Sequence, residues 1–310
     1  MGDRLAQIEG GLIGLLVGDA LGVPYEFHGA EALPPWTDLE MVPPPSFPRA
    51  HAGVPPGTWS DDGAQALCLL ATLLQKGQCD PDDLSRRLIN WLEWGYMAVD
   101  DRVFDVGNQT RKAIAALSSG SAPLEAGPAG EMDNGNGSLM RVLPLALWHR
   151  GTDAALARDA SLQSRITHGH PHAQACCALY VLWARRILDG VNAPWDAAVE
   201  TFRSLSEPGT PQRQSLEQVI LPAFDLPLRG DGYVVHSLRA AVTLNARGSY
   251  EDVVRGAIAL GDDTDTTACI AGGIAGLRFG VDGIPGRWRG LLRGRSLFNP
   301  LLENLLASAS

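Results

Sequence analysis

Apolar residues recur three and four positions apart along most of this 310-residue chain, and few stretches alternate with period two. That spacing lays one apolar stripe along a helix, so the chain reads as all-α. In "DPDDLSRRLINWLEWG", Asp80 stands as N-cap and Pro81 at the first helical position, with acids in the first turn. Leu84, Leu88, Trp91 and Leu92 form the stripe. "PHAQACCALYVLWARRILDG" predicts a helix that stops at Gly190. "SYEDVVRGAIALG" predicts another, opened by a capping box of Ser249 and Asp252 and ended by Gly261. Two segments break the pattern. Residues 31–59 hold eight prolines and must be an ordered loop or a mobile lid, and residues 118–137 form a Gly-rich connection. No repeat and no compositional linker divides the chain, so one compact domain over residues 1–310 is expected, long for a single core.

Two clusters of oxygen ligands stand out. "GDDTDTT", residues 261–267, packs three carboxylates and three hydroxyls before the apolar run "ACIAGGIAGL". Upstream, Ser60, Asp61 and Asp62 precede the helical pattern of "GAQALCLLATLLQKG". Gly272, Gly273 and Gly276 would let neighbouring helices approach closely. Capping accounts for either cluster alone, since Ser, Thr and Asp are preferred N-caps. One carboxylate suffices for a cap, however, and two or three repel unless something positive neutralises them. Carboxylates and hydroxyls with no His or Cys nearby suit Mg²⁺ or Mn²⁺ rather than zinc. Four or five carboxylates from two helix starts can hold two such ions. "DTDTT" also matches the D-x-D-x-T nucleophile loop of haloacid-dehalogenase-type phosphatases. That loop belongs after a buried strand early in a parallel α/β fold, whereas here it follows a helix and only 43 residues remain.

Weaker signals surround these. "GDALGVPYEF" offers Asp19 and Glu26, the latter between Tyr25 and Phe27, where a carboxylate is partly desolvated. "DNGNGSLMRVLPLAL" places Gly135, Gly137 and Ser138 before a helical run, an anion nest in one reading and an ordinary turn in the other. His168, His170 and His172 fall in a loop broken by Gly and Pro, where hydrogen bonding suits His168 better than zinc ligation. Asp105 in "FDVGNQTRKAI" is substrate-facing or a cap. "RWRGLLRGR" reads as a solvated basic helix face.

The formal charge of −10 argues against a sequence-blind nucleic-acid binder, though a metal or local dipoles can still draw phosphates to an acidic protein. The five cysteines contain no CxxC pair and read as free thiols in a reducing compartment. "GGLIGLLVG" lacks a basic flank and no run reaches about 18 apolar residues, so a soluble, cytoplasmic protein without membrane association is expected.

In order, "GLLVGDALGVPYEF", "WSDDGAQALCLL", "FDVGNQTRKAI", "GNGSLMRVLPLAL", "SRITHGHPHA", "GYVVHSLRAAV" and "GDDTDTTACIAGGIAGLRFG…IPGRW" resemble the ADP-ribosylglycohydrolase family, over roughly residues 11 to 288. The resemblance implies an all-α fold with a dinuclear Mg²⁺ or Mn²⁺ centre in a cleft. It puts metal ligands at Ser60, Asp61, Asp62, Asp263, Asp265 and Thr266, and a glutamate near the metals at Glu26. It puts a phosphate and ribose loop at Gly135, Asn136, Gly137 and Ser138, and the aromatic beside adenine at Tyr233. Its Asp motif falls on Asp105 and its Thr-His pair on Thr167 and His168. Two positions depart: Asp262 replaces the second Gly of the family's Gly-Gly-Asp, and Gly63 stands where Thr is usual. The implied activity is hydrolysis of ADP-ribose from a protein side chain, arginine foremost, releasing ADP-ribose. Glu26, or a metal-set Asp such as Asp61 or Asp263, would serve as base. A serine linkage, a free ADP-ribose ester, or a silent ADP-ribose-binding member are the alternatives. Acceptor choice is assigned to the loop at 31–59, and the oligomeric state is left open.

Overall fold

A computed structural model describes residues 2–309. Its α-helices are α1 (Gly2–Gly22), α2 (Asp61–Lys76), α3 (Pro81–Trp94), α4 (Asn108–Ser118), α5 (Leu143–Trp148), α6 (Asp153–Arg165) and α7 (Pro171–Leu188). They continue as α8 (Pro194–Leu205), α9 (Pro211–Ser215), α10 (Val234–Leu244), α11 (Tyr250–Ile258), α12 (Thr264–Phe279), α13 (Gly286–Leu291) and α14 (Arg295–Ala309). Among the described residues no strand forms, and two isolated bridges join Gly29 to Gly261 and Gly135 to Tyr233. The all-α expectation holds, and with no parallel sheet the α/β setting of a phosphatase loop is missing.

The helix signals act as the sequence predicts. Asp80 caps α3 by accepting from Asp83 N at 2.9 Å, and Gly95 closes it in the left-handed region. Ser249 caps α11, accepting from Asp252 N at 3.1 Å. Its hydroxyl also donates to the Asp252 carboxylate at 2.7 Å, so this box closes side chain to side chain.

The core is organised around α1 and α12, the most extensively packed helix pair in the fold. They meet backbone to backbone: a Cβ built on Gly276 would stand 1.9 Å from Gly10 O. That closeness is what the glycines of "ACIAGGIAGL" permit. Tyr250 donates to Gly14 O and Tyr180 to Ile270 O, each at 2.7 Å, so the buried hydroxyls beside the pair are satisfied. Leu12, Leu15, Leu16, Leu67, Leu70, Leu143, Ile270 and Ile274 fill the space around them, fully buried. Truncating any one to Ala costs about 2–5 kcal/mol. By length and composition Arg4–Tyr25 is apolar enough to cross a membrane, contrary to the expectation above, yet 83% of its most apolar window is buried in the fold. It is the central core helix.

The proline-rich segment is ordered. Its only helical pieces are the short turns Ala30–Ala32 and Trp36–Asp38. Glu40 pins it to the body, accepting from Arg255 at 2.6 Å, Arg287 at 2.9 Å and Trp288 Nε1 at 2.5 Å. The basic C-terminal segment is therefore more than a solvated face, because Arg287 anchors this loop. All five cysteines are free and buried.

Candidate metal centre and cleft

Three helix ends converge on the acidic cluster. At the start of α2, the Ser60 hydroxyl accepts weakly from Asp62 N at 3.4 Å and donates to Asp62 Oδ2 at 2.8 Å. Asp61 Oδ2 accepts from Gln65 Nε2 at 2.9 Å, and Gln65 Oε1 accepts from the buried Arg141 at 2.8 Å. From α1, Asp19 spans the start of α2, taking Ser60 N at 2.8 Å and Gly63 N at 2.7 Å. At α12, Asp263 occupies the N-cap position but makes no capping bond. Its Oδ2 accepts instead from Asn136 Nδ2 at 2.7 Å. Thr266 reaches across to Asp62 Oδ2 at 3.4 Å, and Thr264 ties α12 to Gly22 O at 2.8 Å. Capping thus explains part of the first cluster and little of the second.

Carboxylate oxygens of Asp19, Asp62 and Asp265 lie within 4.8 Å of one another, as do those of Glu26, Asp263 and Asp265. Asp19, Glu26, Asp61, Asp62 and Asp265 are buried. Burial lifts Asp19 to about 7 and, with the charges of Asp105 and Asp263, lifts Glu26 to about 11. Burial and like charge hold Asp61, Asp62 and Asp265 well above the usual carboxylate range, and burial raises Asp105 and Asp263. Asp62 Oδ1, Asp265 Oδ2 and Thr267 Oγ1 are buried with no partner at all. Unpaired buried oxygens beside like charges are costly unless a cation sits among them. Hard oxygen donors at this spacing can hold a small divalent cation.

Above the acids opens a cleft of about 810 Å³. Glu26, Asp61, Asp263 and Thr266 line it on one side, with Asp105, Gly135, Asn136, Gly137, His168 and Tyr233 also facing it. Ser60, Asp62 and Asp265 do not line it and belong to the buried layer. The Gly-rich loop differs from a simple nest at a helix start, since α5 begins only at Leu143. Gly135 N already donates to Gln109 Oε1 at 3.2 Å and Asn136 N to Gly232 O at 3.1 Å, leaving the amides of Gly137 and Ser138. The Ser138 hydroxyl turns into the core, bonded to Ser164 at 2.8 Å, and Ser138 does not line the cleft. His168 Nδ1 bonds Thr167 Oγ1 at 2.8 Å, and burial with nearby Arg141 lowers its pKa to about 3, so the ring is neutral. His170 caps His172 N, and His172 bonds Ser215, so the three histidines have separate partners.

The model of the ADP-ribosylglycohydrolase family matches residues 1–310. The chain belongs to that family. It is 32% identical over 297 residues to ADP-ribosylarginine hydrolase Tri1 of Pseudomonas putida (strain GB-1), covering 92% of this chain and 73% of that protein. It is 29% identical over 288 residues to the ADP-ribosyl-[dinitrogen reductase] glycohydrolase of Rhodospirillum rubrum, covering 90% and 87%. A solved structure described as an ADP-ribosylglycohydrolase-related protein complex superposes with a TM-score of 0.80 at 32% identity, covering both chains fully. By family the chain is an ADP-ribosyl glycohydrolase enzyme.

Within this ADP-ribosylglycohydrolase, one residue beside the acids was not legible in the sequence. His51 Nε2 lies 2.7 Å from Glu26 Oε2, and Glu26, His51 and Asp105 place ligand atoms within 4.8 Å of one another. A histidine does approach the cluster, contrary to the reading that none is near. No spacing signal announces it, because a proline-rich loop carries it there. Phe27, His51, Asp105 and Asp262 all hold left-handed backbone, at φ 63°, 48°, 53° and 59°. Each such conformation costs on the order of 1–3 kcal/mol, and such strain gathers where a site requires it. Asp262, the departure from Gly-Gly-Asp, is exposed at the cleft and keeps the conformation that glycine favours.

Proposed function

We propose that the protein hydrolyses the bond joining ADP-ribose to a protein side chain, with arginine as the acceptor. The observation that carries this reading is the pair of orphaned oxygens, Asp62 Oδ1 and Asp265 Oδ2, buried beneath a cleft in an ADP-ribosylglycohydrolase. Two divalent cations, Mg²⁺ or Mn²⁺, would be held by Ser60, Asp61, Asp62, Asp263, Asp265 and Thr266. When bound they would supply positive charge that orients the ribose hydroxyls and acidifies the attacking water. The name of the relative at 32% identity supports the arginine linkage, and that of the relative at 29% identity supports a protein substrate.

The chain's own groups then have distinct tasks. Burial and the neighbouring carboxylates hold Glu26 protonated while the cations are absent. With their charge in place it would ionise and take a proton from the water through Oε1, the oxygen not bonded to His51. The hydroxyl joins the anomeric carbon, the carbon–nitrogen bond breaks, and the proton passes to the departing guanidine nitrogen. Asp61 and Asp263 offset the positive charge that grows on the ribose ring, and Asp105 orients the substrate beside Glu26. The amide of Gly137 and the neutral His168 ring meet the pyrophosphate, Ser138 packs behind the loop, Asn136 aligns Asp263, Gly135 lets the loop approach, and Tyr233 faces the base. We read residues 1–310 as one domain, since α1 and α12 close the core across the whole sequence. The five buried free thiols support a reducing, cytoplasmic setting.

The test is release of ADP-ribose from matched arginine- and serine-modified peptides with Mg²⁺, with Mn²⁺ and with EDTA. Metal-dependent release from the arginine peptide alone is expected. Release from the serine peptide instead would replace the acceptor, and binding of ADP-ribose without cleavage of either would make this a silent member.

A further inference from the structure

We propose that His51 is a positioning residue that fixes the carboxyl group of Glu26, making the proline-rich loop part of the reaction centre. The inference rests on Glu26 acting as proposed above.

Three observations converge. First, the ring has one polar partner: Nε2 meets Glu26 Oε2 at 2.7 Å, and Nδ1 makes no hydrogen bond among the described residues. Second, two aromatic rings hold the imidazole, Phe27 at 5.6 Å and Phe104 at 5.0 Å between centroids. Phe27 follows Glu26 in sequence and Phe104 precedes Asp105, so the same two segments that supply the carboxyls grip the ring. Third, His51 sits at φ 48°, a conformation a β-carbon disfavours, in a loop anchored on both sides. Ala50 N donates to Pro24 O at 2.9 Å, and Arg102 Nη1 donates to Gly53 O at 2.6 Å. Backbone strain, ring packing and the hydrogen bond all serve one outcome, a fixed Nε2 at Glu26. When Glu26 is ionised in the loaded site, its Oε2 accepts from Nε2–H and Oε1 is left for the cleft that Glu26 lines. A free carboxyl on a flexible side chain would sample several rotamers, and only some present an oxygen to the cleft.

The experiment compares wild type, His51→Ala and His51→Gln, all metal-loaded, on the arginine-modified peptide. His51→Ala should lower kcat about 10- to 100-fold with KM within about twofold. Glutamine can place an N–H near Nε2, so His51→Gln should recover most of kcat. Thermal melts check that each variant folds. The ¹⁵N resonances of the His51 ring are recorded in parallel for wild type and Glu26→Ala, and they should shift when the carboxylate is removed. Unchanged kcat in His51→Ala, a loss shared equally by KM, or failure of glutamine to rescue overturns the proposal. So do ring resonances indifferent to Glu26→Ala. If wild type cleaves no ADP-ribosyl peptide, the hydrolase reading falls instead, and the ring resonances still decide whether His51 holds Glu26.

Discussion

Gly22 and Asp265 meet with no room between them: a Cβ built on the glycine would stand 2.4 Å from the aspartate's Cα. The end of α1 therefore fixes the height at which α12 presents its first carboxylates. Gly22→Ala should push α12 away and cost about 1–3 kcal/mol by overpacking. Mn²⁺ affinity, read by calorimetry, should fall further than the melting temperature alone would suggest. Wild-type affinity in a folded Gly22→Ala protein would show that the two helices are not coupled in this way.

Asp265 gives a prediction with an unusual sign. Its carboxyl is held well above the ordinary range by burial and by Glu26 and Asp105, so the fold favours its protonated form. Stability of the metal-free chain should then drop as pH rises above the unfolded carboxylate range. Asp265→Asn removes that charge. Melts in EDTA at pH 8 should rise by roughly 2–6 °C, while the stabilisation conferred by Mn²⁺ disappears. A variant that melts lower in EDTA would refute the charge argument.

His168 sets an acid limit. Buried and near Arg141, it has a pKa of about 3 in the fold, against about 6.5 when unfolded. The unfolded chain binds the extra proton, so stability present above pH 6.5 is lost progressively as pH falls toward 3. Denaturant titrations from pH 7 to 4 should show a shallower decline for His168→Gln than for wild type.

Asn136 joins two elements through one amide, donating to Ser237 Oγ at 2.9 Å and to Asp263 Oδ2 at 2.7 Å. Asn136→Ala leaves that carboxylate oxygen without its donor. Turnover should fall about 10- to 100-fold, the range for residues that orient metal ligands. Asn136→Asp should be worse, because it sets a second negative charge against Asp263, and steady-state kinetics of the two variants would rank them.

Glu40 tests the anchoring of the loop. Burial raises its pKa, but hydrogen bonds from Arg287 and Trp288 outweigh this and bring it below the usual value. Glu40→Gln weakens both and should speed proteolytic cleavage within residues 31–59 about tenfold, equivalent to roughly 1.4 kcal/mol of local stability. The cleavage sites, mapped by mass spectrometry, should fall inside the loop and nowhere in α1 or α12.

Much of this architecture was legible because it rests on local chemistry. Asp80, Pro81 and Ser249 open helices for reasons contained within a few residues, and the glycines of α12 announce a close neighbour without naming α1. The acid clusters were legible as too many carboxylates for two caps. What spacing could not reveal depends on irregular backbone. His51 reaches Glu26 through a loop with no periodicity, Glu40 meets Arg287 from 247 positions away, and Gln109 occupies an amide that looked free for a ligand. The turn at residues 137–141 likewise stands where its apolar residues suggest helix, and α5 begins only at Leu143.

The contact between α1 and α12 also bears on how the molecule is made. Thr264 bonds Gly22 O across 242 positions of sequence, and the helices on either side of that bond carry Asp19 and Asp265. A ribosome releases α1 long before α12 exists, so the most apolar segment of the chain must wait for its partner through most of synthesis. Contacts of such long range also slow folding, because the loop must close before they can form. The acidic pocket thus cannot be completed until α12 has been synthesised. A truncated product ending before α12 leaves α1 without its cover and should depend on chaperones or aggregate.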